Sequence, residues 1–147
     1  MARLPRFVSH YLPLIVWLAF IFFASTDDFN AGNTSRIIGP LILWLFPHTS
    51  PDTLAVVHAM TRKLAHFTEY AILGFLAARA FRTNRRWFLI CLALVVVYAL
   101  LDEYHQSFVP SRTASIHDSL IDIAGGLTAL IFIRSRKGAK GKGRPTR

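Results

Sequence analysis

Ionisable side chains recur at helical spacing in three separate segments of this sequence. The first is Arg62-Lys63-Leu-Ala-His66-Phe-Thr-Glu69-Tyr70. At 100° per residue, Arg62, His66 and Glu69 fall within about 60° of one another on one helix face, with Lys63 and Tyr70 beside it. A histidine close to a carboxylate is the usual arrangement of a general base, but it is also an ordinary hydrogen-bonded pair inside a helical bundle. The segment therefore predicts a polar face and leaves its chemistry open.

The second segment is Asp102-Glu103-Tyr-His-Gln106, which Arg112 follows after a Pro110-Ser step. Asp102 and Glu103 each share a helix face with Gln106. An ordinary solvated helix end has the same composition. The apolar run before Asp102 is short, however, which favours a polar turn that begins inside a membrane.

The third segment carries Asp118 and Asp122 one helical turn apart, followed by Gly125-Gly126. Like charges at this spacing repel unless a cation lies between them or one carboxyl is protonated. Arg62 and Arg112 are the natural counter-charges. The two glycines predict a close approach to a neighbouring helix.

The elements that must position these groups are four apolar segments, each long enough to be considered a membrane span. Arg3 and Arg6 before the first would also suit a signal peptide, but Ala24-Ser25-Thr26 is a weak cleavage site, which favours an uncleaved helix. The predicted spans run from about Tyr11 to Ala24, Leu64 to Phe81, Trp87 to Leu101 and Ile116 to Ile133.

Basic residues set the predicted orientation of these spans. With both termini inside, the inner segments hold 13 of the 17 Lys and Arg residues, which predicts an N-in, C-in four-helix bundle. All eight acidic residues fall in the outer half, although acidic residues contribute little to that rule. They are Asp27, Asp28, Asp52, Glu69, Asp102, Glu103, Asp118 and Asp122.

Two of these carboxylates are candidates for function because of their predicted depth in the membrane. At 1.5 Å per residue, Glu69 lies about 18 Å from the inner helix end at Phe81, and Asp122 about 17 Å from Ile133. Both positions lie inside the hydrocarbon layer, where an ionisable group is costly and needs a partner. Three helices thus bring polar groups to one depth, which predicts a single outward-facing site.

Outside the spans, the loop from Ser25 to Arg62 contains the apolar stretch 39–47, predicted to be an interfacial or re-entrant piece anchored by Trp44. Ser50 is a predicted N-cap, with Pro51 at the first helical position. A helix from there to Phe81 would span about 46 Å, so either it projects from the bilayer or it bends near Arg62. Residues 1–134 are predicted to form the membrane domain. Residues 135–147 are predicted to be a basic, unstructured cytoplasmic tail lying against anionic lipid headgroups.

The three polar segments resemble the VanZ-like family of bacterial membrane proteins. The resemblance rests on Arg62-Lys63-x-x-His66-x-x-Glu69-Tyr70, on Asp102-Glu103-x-x-Gln106 with Pro110-x-Arg112, and on Asp118-x-x-x-Asp122-x-x-Gly125, with Ser25-Thr26 as a further polar turn. It implies a multi-pass protein of the bacterial plasma membrane and cell envelope. Some family members are named for low-level teicoplanin resistance. The resemblance implies no particular molecular activity.

Three functions are compatible with these residues. In the first, Arg62, Lys63 and Arg112 bind an anionic envelope ligand, such as a lipid-linked cell-wall precursor, because arginine suits carboxylate and phosphate. The other members of the predicted binding set are His66, Glu69, Tyr70, Asp102, Glu103, Gln106, Asp118 and Asp122. The second is an intramembrane hydrolase or phosphotransferase, with His66, Glu69 and Asp102 as catalytic candidates. The third is a structural accessory protein whose polar residues hold helices together.

The charge of +9 is arranged in short blocks beside apolar runs, which excludes nucleic acid as a partner. The predicted partners are the lipid bilayer and an anionic lipid or lipid-linked precursor. No cofactor is assigned. If a metal is bound, the sequence offers His66, Glu69, Asp118 and Asp122 as ligands.

Overall fold

The computed structural model describes residues 5–26, 31–109 and 115–142, and this part of the chain is all-α. Asp27, Asp28 and Arg112 lie outside these ranges. The described residues form five helices: α1 (Arg6–Ala24), α2 (Ala31–Leu45), α3 (Pro51–Phe81), α4 (Trp87–Gln106) and α5 (Ile116–Lys142). The predicted helical fold class is therefore confirmed for the described residues.

The helix α3 is the centre of the fold, since it contacts each of the other four helices. It begins as predicted: Ser50 is the N-cap, its hydroxyl accepts a hydrogen bond from the Thr53 backbone N–H at 3.2 Å, and Pro51 follows at the first position. The helix continues without interruption through Arg62 for 31 residues, about 46 Å at 1.5 Å per residue.

Contacts between residues of different helices show in which direction each helix runs relative to its neighbours. α1 and α4 run one way, whereas α3 and α5 run the other. The contacts that set these directions are Arg79–Ser9 and Trp17–Glu69 for α1 against α3, Tyr98–Leu18 and Ser25–Asp102 for α1 beside α4, and His66–Asp122 and Tyr70–Gly126 for α3 beside α5.

Glycines let α3 and α5 approach closely, as the Gly125-Gly126 pair predicts. A Cβ atom on Gly125 would overlap the Phe67 carbonyl, and one on Gly74 would lie 2.7 Å from the Gly126 carbonyl oxygen. Gly74 was not singled out in the sequence, although it lies one turn beyond Tyr70. The close approach fixes which turns of α3 and α5 stand at the same level, and so which polar groups meet.

We expect Gly125→Ala to lower the free energy of unfolding by about 1–3 kcal/mol, because the new methyl group must push two backbones apart. Unfolding by SDS in mixed micelles measures this change. Gly39→Ala is the matched control, since its Cβ would meet the His58 ring at an ordinary 3.7 Å. Equal stability of the two variants would show that α3 and α5 are not in close contact.

Among the described residues, α4 (Trp87–Gln106) and the part of α5 from Ile116 to Arg136 are long and apolar enough to cross a membrane by length and composition. Val8–Ala24 is apolar but shorter. The buried core runs between α1, α3, α4 and α5, and large apolar side chains cover their outer faces. Phe23, Leu89 and Phe132, for example, are all more than half exposed. The structure thus bears out apolar, membrane-like helices, while the number of spans and their orientation stay predictions.

Two segments contain more helix than the sequence indicated. Residues 39–45 of the stretch predicted to be an interfacial or re-entrant piece belong to α2, which extends from Ala31 to Leu45 with Pro40 inside it and Trp44 exposed. The placement of this stretch at the interface stays a prediction. At the other end, α5 continues eight residues past Arg134, to Lys142, where an unstructured tail was predicted. Arginine, lysine and alanine favour helical backbone without an apolar face, and the helix continues despite Gly138 and Gly141. The domain boundary itself stays a prediction.

Candidate functional site

One buried ionisable pair joins α3 to α5. His66 Nδ1 lies 3.3 Å from Asp122 Oδ1, and the Asp122 side chain is completely buried. The separation allows electrostatic attraction, yet the His66 nitrogen and both Asp122 oxygens have no hydrogen-bond partner within the described ranges. Buried carboxylate oxygens normally have such partners, so this pair is incompletely satisfied.

Asp102 joins α4 to α1. One of its oxygens accepts a 2.5 Å hydrogen bond from the Ser25 hydroxyl, and the other accepts one from Gln106 Nε2 at 2.9 Å. Gln106 follows Asp102 by one turn, as the sequence spacing predicts. All three side chains are buried, and the two donors hold the Asp102 carboxylate in a fixed orientation.

The two clusters meet between α3, α4 and α5. His66, Asp102 and Asp122 each offer one nitrogen or oxygen atom, and these three atoms lie within 4.8 Å of one another. Two carboxylates and one imidazole therefore share a buried space. Such a set could hold a proton between acidic groups, act as a general base, or ligate a cation.

A small pocket lies one turn closer to the N-terminal ends of α3 and α5. It has a volume of about 80 Å³ and is lined by Ala59, Arg62, Lys63, His66 and Asp118. Arg62 and Asp118 are half-buried, and Lys63 is exposed. His66 belongs to both this pocket and the buried cluster, so it connects the cationic side chains to Asp122.

Other predicted site residues lie elsewhere. Glu103 Oε2 accepts a 2.7 Å hydrogen bond from the Ser115 backbone N–H, which places its carboxylate at the start of α5, where a negative charge is favourable. Glu69 lines a separate groove between α1 and α3 with Trp17 and Phe20. Arg112 falls outside the described residues, so its position beside the site stays a prediction.

Tyr70 and Ser119 are polar residues of the buried region without a hydrogen-bond partner in the described part of the chain. Each is at most 1% exposed, and neither the Tyr70 hydroxyl nor the Ser119 hydroxyl is paired there. Tyr70 follows His66 by one turn of α3, and Ser119 shares the face of Asp122. Tyr70 was predicted from its segment. Ser119 was missed, although its position three residues before Asp122 is a readable signal.

Within the described ranges, the partner of Asp122 is not the Arg62 side chain that the sequence offered. His66 lies within ion-pair distance of Asp122 instead, and Arg112, the other counter-charge offered, stays a prediction. Because α3 and α5 run in the same direction, Arg62 stands level with Asp118, and His66, one turn further along, stands level with Asp122. The register that the glycines allow therefore decides the pairing.

Comparison with known protein families identifies a relationship. The sequence model of the VanZ/LLP1 family matches residues 10–137, which is most of the chain and extends from the first turns of α1 to the end of the apolar part of α5. Searches of curated proteins and of solved structures found no match. The family match covers every described residue of the polar clusters, in agreement with the motifs that suggested it. The chain therefore belongs to the VanZ/LLP1 family.

Proposed function

We propose that this VanZ-like protein is a multi-pass protein of the bacterial plasma membrane whose Arg62 pocket binds an anionic ligand of the cell envelope, such as a lipid-linked cell-wall precursor. The proposal is supported mainly by one observation: Arg62, Lys63 and His66 line the same pocket. Arginine forms paired hydrogen bonds with phosphate or carboxylate, and the adjacent lysine adds a second cation.

The proposed orientation places this pocket near the outer leaflet. α1, α3, α4 and α5 alternate in direction, as four successive crossings require. A groove at the opposite end of the bundle is lined by Arg79, Arg82 and Arg136 among apolar residues, which suits the cytoplasmic side. The helix α2, with Trp44 exposed, would lie along the outer interface.

This orientation predicts the behaviour of topology reporters. A reporter active only in the cytoplasm should work when fused after Arg147 and when inserted near Asn84, because both positions lie at the basic end. The same reporter inserted near Ser111 should be silent. Activity at Ser111 would overturn the four-span arrangement.

An apolar groove beside the buried cluster supports a lipid-linked ligand over a free anion. The groove has a volume of about 340 Å³, and Asp102 lies among its apolar and aromatic walls, which include Phe22, Leu101, Tyr104 and Phe108. A hydrocarbon chain could occupy such a groove from the bilayer. Its polar headgroup would then lie at the same end of the bundle as Arg62.

Native mass spectrometry of gently extracted protein tests the proposal. Wild-type protein should retain an anionic lipid through detergent exchange, and Arg62→Met should reduce that retention at least tenfold, because the paired hydrogen bonds are lost. Arg85→Met, at the exposed loop between α3 and α4, is the control with the same charge change. Equal retention by both variants, or no retained lipid in the wild type, would contradict the proposal.

A second candidate function is hydrolysis or phosphoryl transfer on a lipid-linked substrate. It is favoured by His66, which lies within ion-pair distance of Asp122 and also lines the Arg62 pocket. A carboxylate that orients an imidazole towards a bound substrate is the arrangement of a general base. Turnover of the retained lipid, abolished in His66→Gln, would distinguish this function from binding alone.

An effect on glycopeptide susceptibility follows from the same proposal if the ligand is a cell-wall precursor. Overexpression would then change the teicoplanin concentration that inhibits growth, and Arg62→Met would remove the change. A purely structural role for the polar groups predicts no difference between these two strains.

A further inference from the structure

We propose that His66, Asp102 and Asp122 form a binding site for one divalent metal ion of the zinc, manganese or iron type. This set differs from the ligands that the sequence offered, because Asp102 replaces Glu69 and Asp118. The inference does not require the anionic ligand: the metal site lies in the buried cluster, and the anion pocket is centred on Arg62.

The donor atoms have the separations that a small metal site needs. With metal–ligand bonds of 2.0–2.2 Å and tetrahedral angles, two ligand atoms stand about 3.4 Å apart. His66 Nδ1 and Asp122 Oδ1 are 3.3 Å apart, and the three donor atoms of the trio all lie within 4.8 Å of one another. Bringing them to the tetrahedral separation therefore requires side-chain movement of roughly 1.4 Å at most. One imidazole and two carboxylates suit zinc, manganese or iron(II).

Several polar atoms of the trio and of its neighbours lack hydrogen-bond partners, which supports a bound ion independently of the distances. Asp122 is completely buried, and both of its oxygens lack a hydrogen-bond partner in the described ranges, as does His66 Nδ1. The buried hydroxyls of Tyr70 and Ser119, on the same faces of α3 and α5, are likewise unpaired there. A metal ion with one or two bound waters would supply partners for such a group of atoms.

The negative charge of the trio and the fixed orientation of the Asp102 carboxylate also favour a bound cation. Two buried carboxylates beside one imidazole leave at least one negative charge uncompensated when both are ionised, and a divalent cation removes that excess. Asp102 is held by Ser25 and Gln106 through both oxygens. Ligating carboxylates are commonly fixed by such outer hydrogen bonds. A three-residue set also leaves coordination positions for water or a substrate oxygen.

The test is metal content of the full chain purified in detergent, measured after stripping with EDTA and reloading separately with Zn²⁺, Mn²⁺ or Fe²⁺. Wild-type protein should bind about one equivalent of at least one of these ions, and His66→Gln and Asp122→Asn should weaken that binding at least tenfold. His58→Gln is the matched control, because it removes another α3 histidine outside the trio. Size-exclusion chromatography establishes that each variant is folded.

Absorption spectroscopy at the metal edge of the loaded wild type gives a second readout that needs no variant. It should show one imidazole nitrogen among oxygen ligands, without a sulfur ligand from Cys91. The inference is overturned if wild-type protein binds no ion, if Asp122→Asn binds it as tightly as wild type, or if the spectrum lacks imidazole. Loss of lipid in Arg62→Met with unchanged metal content would support both proposals separately.

Discussion

Replacing His66 by leucine is expected to lower the free energy of unfolding by about 3–5 kcal/mol, because it leaves the Asp122 carboxylate buried without its only charged neighbour within ion-pair distance in the described chain. Asp122→Leu should lower the free energy of unfolding by less, because a deprotonated imidazole is neutral and can stay buried without a charged partner. The substitution also makes the fourth predicted span more apolar. The double variant should therefore be more stable than the sum of the two single losses predicts.

A double-mutant cycle measures this coupling, with EDTA present so that a bound metal does not contribute. We expect an interaction energy of about 1–3 kcal/mol from SDS unfolding. The control cycle pairs His66→Leu with Asp52→Leu. Asp52 lies 14 residues earlier on α3, about 21 Å away, so the losses should add within about 0.5 kcal/mol. Additivity in the His66–Asp122 cycle would show that these side chains do not meet.

Asp102→Leu is expected to cost about 2–5 kcal/mol, because it removes the acceptor of two buried donors at once. The Ser25 hydroxyl and the Gln106 amide would each lose a partner, and the link between α1 and α4 would weaken. Asp102→Asn should cost less, since the amide oxygen still accepts one of the two hydrogen bonds.

The matched control is Asp118→Leu, which removes a half-buried carboxylate one turn from the cluster. Its expected cost is under about 1 kcal/mol, because solvent can replace its interactions. Thermal unfolding in detergent compares the three variants with wild type. If Asp102→Leu were as stable as Asp118→Leu, Asp102 would not be the acceptor that joins α1 to α4.

Local sequence patterns predicted much of this arrangement, because they depend on contacts within one helix. The Ser50 cap and the Asp102–Gln106 hydrogen bond both follow from spacing along a single element. The Gly125-Gly126 pair indicated a close contact with another helix, because the absence of side chains is visible in the sequence, but it did not say which helix would be the neighbour.

Pairings between helices could not be predicted in the same way. Whether Asp122 meets Arg62 or His66 depends on the direction and register of α3 beside α5, and a shift of one turn exchanges the two partners. Glu69 illustrates the same limit, since it shares a helical stripe with His66 yet lines the groove beside Trp17. A helical wheel gives the angle of a side chain but not the neighbour at that angle.

Photo-crosslinking in living cells tests the central claim, that the Arg62 pocket holds an anionic envelope lipid, most directly. p-Benzoylphenylalanine replaces Ala59, which lines the pocket, or Leu64, which is 65% exposed on the same helix and serves as the control for bulk lipid. Mass spectrometry then identifies the adducts. The account predicts that an anionic lipid species is enriched at position 59 over position 64, and that Arg62→Met abolishes the enrichment. Identical lipid adducts at the two positions, or an enrichment that survives Arg62→Met, would contradict it.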